Sequence, residues 1–377
     1  MIYLDYNATT PLSENVKQVI IDNLNLFYNP SSMYKESNFA KEKINDARIY
    51  VSELINANDK QIIFTGCATE SNNAVFNTCV NNSSKKNKNI IVSCVEHSAV
   101  LEAAKYYKKY RNVDVVFIPV DNKGRINILD IQKAINENTI LVSIMLVNNE
   151  IGNIYPIKEI AEAVHQLNPS TYVHTDATQA IGKMNVDVQN LSVDFLTMSG
   201  HKFNAPKGIG ALYIKRIDEY VPFLVGGHQE KNYRAGTENL LSIIALGQAA
   251  KDLLNFNEYD SIRRKRDFFE RKVLSYIPGT KVLGDIDNRV CNTSCILFDQ
   301  LNGIDICELV NSMDDICISS GSACNSIILE PSHVMKALGY NRIPIRVSIG
   351  KNTTDEELTK CFQSLIKTTK LLRKKEK

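Results

Sequence analysis

One cysteine, Cys324, lies in a run of small polar residues, SSGSACNS (319–326). A buried cysteine behaves as a small apolar group and usually has apolar neighbours, but none of the larger apolar residues stands within two positions of Cys324. Two interpretations are open on this stretch alone. The thiol is either an ordinary free cysteine in a loop or a nucleophile that must travel to its substrate.

Two further short segments place polar side chains directly after apolar, strand-like runs. In EHSAV (96–100) a histidine, His97, could stack on a flat ligand, move protons or play a purely structural part. In HTDATQ (174–179) a carboxylate, Asp176, could pair with a cationic heterocyclic nitrogen, and Gln179 follows three residues later. Each of these signals is weak by itself.

A lysine, Lys202, stands between histidine and phenylalanine in SGHKF (199–203), with Ser199 and His201 beside it. A lysine reacts as an amine only after it loses its proton, and it can then form a Schiff base. In CATESNN (67–73), Ala68 and Thr69 offer backbone N–H groups and a hydroxyl at the start of a predicted helix, which is a suitable anion site. A reactive lysine, a carboxylate, an aromatic ring and phosphate donors are together what pyridoxal phosphate requires.

The elements that must position these residues alternate between apolar strands and longer helical patterns. Because the strands are nearly all apolar, they indicate an α/β fold with a mostly parallel sheet that is covered on both faces. Ligands of such sheets bind beyond the carboxyl ends of the strands. The predicted strands lie in QIIFTG (61–66), NIIVSC (89–94), VDVVFIPV (113–120), TILVSIMLVNNE (139–150), TYVHTDA (171–177), VDFLTMSG (193–200) and GIGALYI (208–214).

The chain of 377 residues is long enough for a large and a smaller domain. We expect an N-terminal segment (1–14) that packs with the small domain, a large domain (15–250) and a small C-terminal domain (251–377) that carries Cys324. A net charge of +2 and the lack of a long apolar run argue against nucleic acid and membrane partners. Nine scattered cysteines without metal-ligand spacing favour free thiols, no metal site and a cytoplasmic location.

Nearly the whole chain resembles the cysteine desulfurases of the NifS/IscS type, which are fold-type I pyridoxal phosphate enzymes. The shared motifs occur in order along the sequence, although Tyr34 and Ser37 depart from the usual pattern and the C-terminal extension of IscS-like members has no counterpart here. The motifs are YLDYNATTP (3–11), NPSS (29–32), CATESNN (67–73), EHSAV (96–100), VNNEIG (147–152), HTDATQ (174–179), SGHKF (199–203), GIGALY (208–213), RAGTEN (234–239), SSGSAC (319–324) and IRVSIG (345–350).

The resemblance implies a role for each matching residue. Lys202 is expected to carry pyridoxal 5′-phosphate and to act in catalysis, with Asp176 at the ring nitrogen of the cofactor and Gln179 at its phenolic oxygen. His97 is expected to stack on the ring and to shuttle protons as a second catalytic residue. Asn149 and Arg346 match substrate-contacting positions, and Asn149 is also expected to contact the cofactor. Arg346 would clamp the carboxylate of the amino acid. The phosphate ligands are expected to be Ala68 through its backbone, Thr69, Ser199, His201, and Thr237 from the other subunit of a homodimer.

The resemblance also assigns the nucleophile to Cys324, on a mobile loop from which it can reach the cofactor-bound substrate. The implied reaction removes sulfur from L-cysteine, leaves a persulfide on Cys324 and releases L-alanine. Sulfur would then pass to an iron–sulfur scaffold or another acceptor protein. Iron–sulfur cluster assembly is the use that the resemblance favours. The alternatives are a selenocysteine lyase or a related pyridoxal phosphate enzyme, and a non-catalytic scaffold that kept the fold.

Overall fold

A computed structural model describes residues 1–313, 315–320 and 330–375, and for residues 374 and 375 it describes the backbone only. Among the described residues, no helix combines the length and apolar character that a membrane span requires. The helices are α1 (Glu14–Asp22), α2 (Lys35–Leu54), α3 (Ala68–Asn82), α4 (Ser98–Tyr110), α5 (Ile128–Ala134), α6 (Ile157–Leu167), α7 (Val188–Leu191), α8 (Leu240–Leu253), α9 (Tyr259–Tyr276), α10 (Gly303–Asn311), α11 (His333–Ala337) and α12 (Asp355–Lys375).

The strands form three sheets, of seven, three and two strands. They are β1 (Ile2–Tyr3), β2 (Ile62–Thr65), β3 (Asn89–Ser93), β4 (Asp114–Ile118), β5 (Thr139–Ser143), β6 (Tyr172–Asp176), β7 (Phe195–Ser199), β8 (Gly210–Ile214), β9 (Thr280–Val282), β10 (Thr293–Phe298), β11 (Ile316–Cys317) and β12 (Ile345–Ser348).

The seven-stranded sheet has the order β2-β8-β7-β6-β5-β3-β4. Only β8 runs against the others, since it pairs antiparallel with both β2 and β7 while the remaining pairs are parallel. The sequence-based prediction of an α/β fold with a mostly parallel sheet is therefore confirmed, and each predicted strand corresponds to one strand of this sheet.

The strands are apolar on both faces because both faces are covered. Successive residues of β3 alternate between two clusters: Ile90 and Val92 pack with apolar residues of α3 and α4, and Ile91 packs with those of α2, α6 and α8. This alternation follows from the two-residue period of a strand. Because both faces are covered, the open part of the sheet is its carboxyl edge, where β2, β3, β5, β6 and β7 end.

A second core forms around the three-stranded sheet, β12-β10-β9, against α9 and α12. The N-terminal segment joins this part of the molecule, since β1 pairs with β11 and Leu4 lies in its core. An isolated bridge between Asp5 and Ser348 continues the contact toward the sheet edge. The domain limits stated above remain a prediction.

Candidate active site

A cavity of about 280 Å³ lies at the carboxyl edge of the seven-stranded sheet. Five strand ends and one strand of the smaller sheet bring ten of the predicted residues to its lining, as expected for ligand sites in open α/β sheets. These are Ala68, Thr69, His97, Asn149, Asp176, Gln179, Ser199, His201, Lys202 and Arg346.

The candidate reactive lysine, Lys202, ends a short turn, Gly200–Lys202, that follows β7. Its Nζ donates hydrogen bonds to the carbonyl oxygens of Asn7, at 2.9 Å, and Ala8, at 2.7 Å. Both acceptors belong to the N-terminal YLDYNATTP motif, so this segment helps to orient the amine toward the cavity.

The carboxylate of Asp176 lies at the end of β6 and is only 5 % exposed. Its Oδ2 accepts from Asn72 Nδ2 at 2.8 Å, and its Oδ1 accepts from the backbone N–H of Thr178 at 3.0 Å. These two donors fix the carboxylate in one orientation at the cavity wall. Sequence analysis did not single out Asn72, although it lies within the CATESNN motif.

The ring of His97 caps helix α4, because Nδ1 accepts from the backbone N–H of Ala99 at 3.2 Å. A ring nitrogen that accepts carries no proton, so the neutral ring carries its proton on Nε2. Burial lowers the pKa of His97, Asp176 raises it and Lys202 lowers it further. The ring is therefore neutral near pH 7 and presents an N–H donor on its Nε2 edge.

Four of the residues predicted to bind phosphate line the cavity, namely Ala68, Thr69, Ser199 and His201. Ala68 and Thr69 begin the 15-residue helix α3, whose N-terminal N–H groups favour an anion. His201 Nδ1 lies 3.1 Å from Thr9 Oγ1. Burial and the nearby Lys202 lower the pKa of His201 to about 4, which makes this ring a neutral ligand at pH 7.

The amide of Gln179 is 5 % exposed and lies between two other groups. Its Nε2 donates to the Asn7 carbonyl oxygen at 2.9 Å, the same oxygen that accepts from Lys202. Its Oε1 accepts from the side chain of a second lysine, Lys183.

The guanidinium of Arg346 comes from β12 of the smaller sheet and is 1 % exposed. Nη1 donates to the Asn149 carbonyl oxygen at 2.9 Å, and Nη2 donates to Asp5 Oδ1 at 2.7 Å. The ion pair with Asp5 holds the planar group at the cavity rather than in the core.

The residues present fit pyridoxal 5′-phosphate. The hydroxyl of Thr178 lines the cavity and is buried, yet among the described residues it has no hydrogen-bond partner. Nε of Arg346 is likewise buried and unsatisfied within the described part of the chain. Buried polar atoms are normally paired, so a polar ligand in the cavity would supply a partner for the Thr178 hydroxyl. The set of an amine, a carboxylate, a neutral histidine and a helix N-terminus matches the groups of this cofactor.

One predicted residue lies outside this cavity, and another lies outside the part of the chain that the structure describes. Thr237 is exposed and lies outside it, in the loop that the ion pair between Arg234 and Glu70 ties to the start of α3. Cys324 falls in the stretch 321–329, outside the described residues.

The cavity also has lining residues that sequence analysis missed, among them Asn7, Glu150 and His333. Nε2 of His333 lies 2.9 Å from the Glu96 carbonyl oxygen, so the neutral ring has its lone pair on Nδ1. Glu150 is buried and accepts from Ser332 Oγ at 2.6 Å, and burial raises its pKa. Asn7 and Glu150 belong to quoted motifs, YLDYNATTP and VNNEIG, whereas nothing local marks His333.

The chain belongs to the aminotransferase class-V family, whose model matches residues 2–361. Enzymes of this family generally use pyridoxal 5′-phosphate. The fold-type I assignment made from the sequence is thereby confirmed.

Curated relatives cover nearly the whole chain. Cysteine desulfurase 2 of Trichormus variabilis is 41% identical over 370 residues, which are 96% of this chain and 92% of that protein. The cysteine desulfurase NifS of Azotobacter vinelandii is 38% identical over 372 residues, which are 97% and 91% of the two chains. The resemblance to the NifS/IscS group is therefore confirmed.

Two solved structures are also similar. A NifS-like protein superposes with a TM-score of 0.90 at 30% identity, covering 98% of this chain and 99% of its own. The structure of SspA in complex with cysteine superposes with a TM-score of 0.82 at 31% identity. The match covers 93% of this chain and 99% of that chain.

Proposed function

We propose that this protein is a cysteine desulfurase that uses pyridoxal 5′-phosphate to move sulfur from L-cysteine to its own Cys324, with release of L-alanine. The observation that carries the proposal is the single cavity that gathers Lys202, Asp176, His97 and Arg346. A chain that only kept the fold as a scaffold has no use for this combination. Relatives that carry the name cysteine desulfurase over nearly the full length support the same activity.

The cofactor would be held at both ends of the cavity. Lys202 binds it covalently, Asp176 keeps its ring nitrogen protonated, and His97 packs on the ring. Ala68, Thr69, Ser199 and His201 hold the phosphate. When bound, the cofactor supplies an electron sink that weakens the bonds to the α-proton and then to sulfur.

The side chains of the cavity then divide the remaining work. Arg346, held by Asp5 and Asn149, binds the carboxylate of L-cysteine and orients its Cα–H toward Lys202. Lys202 Nζ takes and returns protons at carbon. Of the two histidines, His97 offers a proton on Nε2, while His333 offers a lone pair on Nδ1.

Sulfur transfer requires the thiolate of Cys324, since the thiolate and not the thiol is the nucleophile. Its Sγ attacks the substrate sulfur, so an S–S bond forms as the Cβ–S bond breaks. The electron pair of the broken bond stays with carbon, which gains a proton and leaves as L-alanine. Cys324 is left as a persulfide, which we propose is passed to an iron–sulfur scaffold or another acceptor protein.

The test is mass spectrometry of intact protein and peptides after incubation with pyridoxal 5′-phosphate and L-cysteine without reductant. One added sulfur on the peptide that contains Cys324, lost when a thiol is added, is the expected result. Cys324→Ala should keep the cofactor absorption and gain no sulfur, with Cys307→Ala as the matched control. A protein that shows the cofactor band but no added sulfur acts on a different amino acid.

We further infer a homodimer in which Thr237 of each subunit reaches the phosphate site of the other. Thr237 is exposed in the single chain, as such a residue must be before assembly. Large apolar side chains are also exposed near the N-terminus and before the Thr237 loop, namely Phe27 (80 %), Met33 (99 %) and Val225 (89 %). Burial of such side chains against a second subunit would favour assembly.

Light scattering of the purified protein tests the dimer directly. A mass twice that of the chain is expected, with weaker cofactor binding in Thr237→Ala. A monomer that binds the cofactor with unchanged affinity would exclude this role of Thr237.

A further inference from the structure

A second lysine, Lys183, lies behind the candidate reactive lysine. It follows β6 and the HTDATQ motif and is only 6 % exposed. Its Nζ donates to Gln179 Oε1. Within the described part of the chain, no carboxylate forms an ion pair with Lys183.

An ammonium group in such a place is costly, because burial removes its hydration and, among the described residues, no carboxylate pairs with the charge. Burial lowers the pKa of Lys183 well below its usual range, and Lys202 and then Arg346 act in the same direction. A buried titratable group that stability does not explain is a candidate for a functional role.

The contact with Gln179 indicates what that role is. Lys183 Nζ carries N–H donors in either protonation state, and the Gln179 amide turns its oxygen toward them. The NH2 group of Gln179 then faces the opposite way, toward the Asn7 carbonyl oxygen, to which it donates at 2.9 Å. That oxygen also accepts from Lys202 at 2.9 Å. One of the two N–H bonds of the amide is used in this contact, and the other is available on the side of the cavity that Gln179 lines.

We propose that Lys183 is a positioning residue that fixes the Gln179 amide with its N–H donors toward Lys202 and the cavity. The inference rests on the proposed function, in which Gln179 is the partner of the phenolic oxygen of the cofactor. Without Lys183 the hydrogen bond to the Asn7 carbonyl oxygen would be left to hold the amide, and a rotated amide would present its oxygen to that anionic group, which would repel it.

The arrangement has a consequence for the protonation of the Lys202 nitrogen when it carries the cofactor. The phenolic oxygen is more negative when this nitrogen has lost its proton, so a donor at the oxygen favours the deprotonated form. The Gln179 donor therefore lowers the pH at which the visible absorption band of the bound cofactor titrates.

The decisive variant is Lys183→Met, which removes the donor but keeps an unbranched side chain. The loss of one hydrogen bond to a charged oxygen should raise the midpoint of the absorbance titration by about one pH unit and weaken cofactor binding about tenfold. Lys183→Arg, which keeps a donor, should restore the midpoint. A second cavity of about 260 Å³ adjoins Lys183 and gives the larger guanidinium room.

Other ionisable groups around Lys202 are the same in all three proteins. On the cavity side they are Cys67, His97, Glu150, Asp176, His201, His333 and Arg346. On the side of the second cavity they are Tyr6, Glu14, Asp252, Cys291 and Lys351. Their contributions therefore cancel when the titration midpoints of the variants are compared.

A double-mutant cycle separates positioning through Gln179 from a general effect of the lysine. In a Gln179→Leu background, Lys183→Met should leave the titration midpoint unchanged, because no amide remains to be oriented. The apoproteins should unfold within a few degrees of one another, since each variant removes only a local contact. A midpoint shift of the same size in the Gln179→Leu background would overturn the inference, as would a Lys183→Met protein that titrates like the parent.

The same experiment distinguishes this inference from the proposed function. If the parent protein shows no visible band with pyridoxal 5′-phosphate, the proposed function itself has failed. If the parent shows the band and releases alanine from L-cysteine, and Lys183→Met titrates as the parent does, only the role of Lys183 is rejected.

Discussion

The cavity has two walls that are built in different ways. The strand-end wall, formed by Ala68, Thr69, His97, Asp176 and Ser199–Lys202, consists of residues at or just after the carboxyl ends of strands in one sheet. The stitched wall, formed by Asn7, Asn149 and Arg346, joins segments that are remote in sequence. Backbone hydrogen bonds between strands position the first wall, whereas side-chain hydrogen bonds between remote segments link the residues of the second.

The hydrogen bonds of the stitched wall are few and long-range. Asn7 Nδ2 donates to the Asn149 carbonyl oxygen across 142 positions and also to Thr293 Oγ1, and Arg346 Nη1 donates to the same Asn149 oxygen across 197 positions. Asn292 Nδ2 donates to Asn7 Oδ1. A wall of this kind can be altered one contact at a time. The two walls should therefore respond differently to substitution: chemistry should depend on the first, and substrate binding and local stability on the second.

The largest effect is expected for Lys202→Ala in the strand-end wall. This change removes both the covalent anchor and the group that moves the α-proton, so turnover of L-cysteine should fall by at least about 10⁴-fold. Alanine release and the visible spectrum provide the measurement. Lys207→Ala, at an exposed lysine five residues later, should behave as the parent does. Substantial turnover in Lys202→Ala would place the chemistry elsewhere.

The stitched wall should be tested first through Asn7→Ala. Asn7 is 2 % exposed, and its side chain makes three hydrogen bonds to groups from other segments. Their loss leaves buried partners unpaired and should reduce the free energy of unfolding by about 2–4 kcal/mol. Urea unfolding of the apoprotein measures this, with the exposed Asn352→Ala as control. An unchanged midpoint would mean that the wall does not depend on these bonds.

The difference between the two walls also explains what can be predicted from the sequence. Apolar runs such as QIIFTG and NIIVSC predict the strands, and strand ends predict where Asp176 and Lys202 meet. The antiparallel direction of β8 was not specified, because an apolar run has the same appearance in either direction. Lys183 and His333 were missed because nothing local shows that a lysine will be buried or that a histidine will reach a distant cavity. The role of each predicted site residue remains a prediction.

Low pH should reduce the free energy of unfolding through a buried histidine, His174, in the sheet that carries the strand-end wall. His174 on β6 is fully buried between Ser143 of β5 and Thr197 of β7, and burial lowers its pKa to about 4, against about 6.5 in the unfolded chain. Because the unfolded chain binds this proton first, the contribution of His174 to stability falls as the pH drops from 6.5 toward 4, and by pH 5 the loss is about 2 kcal/mol.

The measurement is the free energy of unfolding of the apoprotein at pH 7 and pH 5, for the parent and for His174→Gln. Glutamine retains hydrogen-bonding groups and does not titrate. The free energy of unfolding of His174→Gln should therefore decrease between pH 7 and pH 5 by about 2 kcal/mol less than that of the parent. Glu96, whose pKa is raised to about 8 by burial, changes stability in the opposite sense, since its contribution is lost as the pH rises toward 8. It is present in both proteins and cancels in the comparison. Equal decreases would show that His174 is not the acid-sensitive group.

The smallest effect is expected for Arg346→Lys in the stitched wall. A lysine keeps the positive charge but has no planar fork, so it cannot contact Asp5, the Asn149 carbonyl oxygen and a substrate carboxylate in the same geometry. Because this contact holds the carboxylate equally in the bound substrate and in the transition state, the KM for L-cysteine should rise about tenfold with little change in kcat. The exposed Arg342→Lys serves as control. If kcat fell while KM stayed constant, Arg346 would act on the reacting bonds. The hypothesis that chemistry depends on the strand-end wall and substrate binding on the stitched wall would then be wrong.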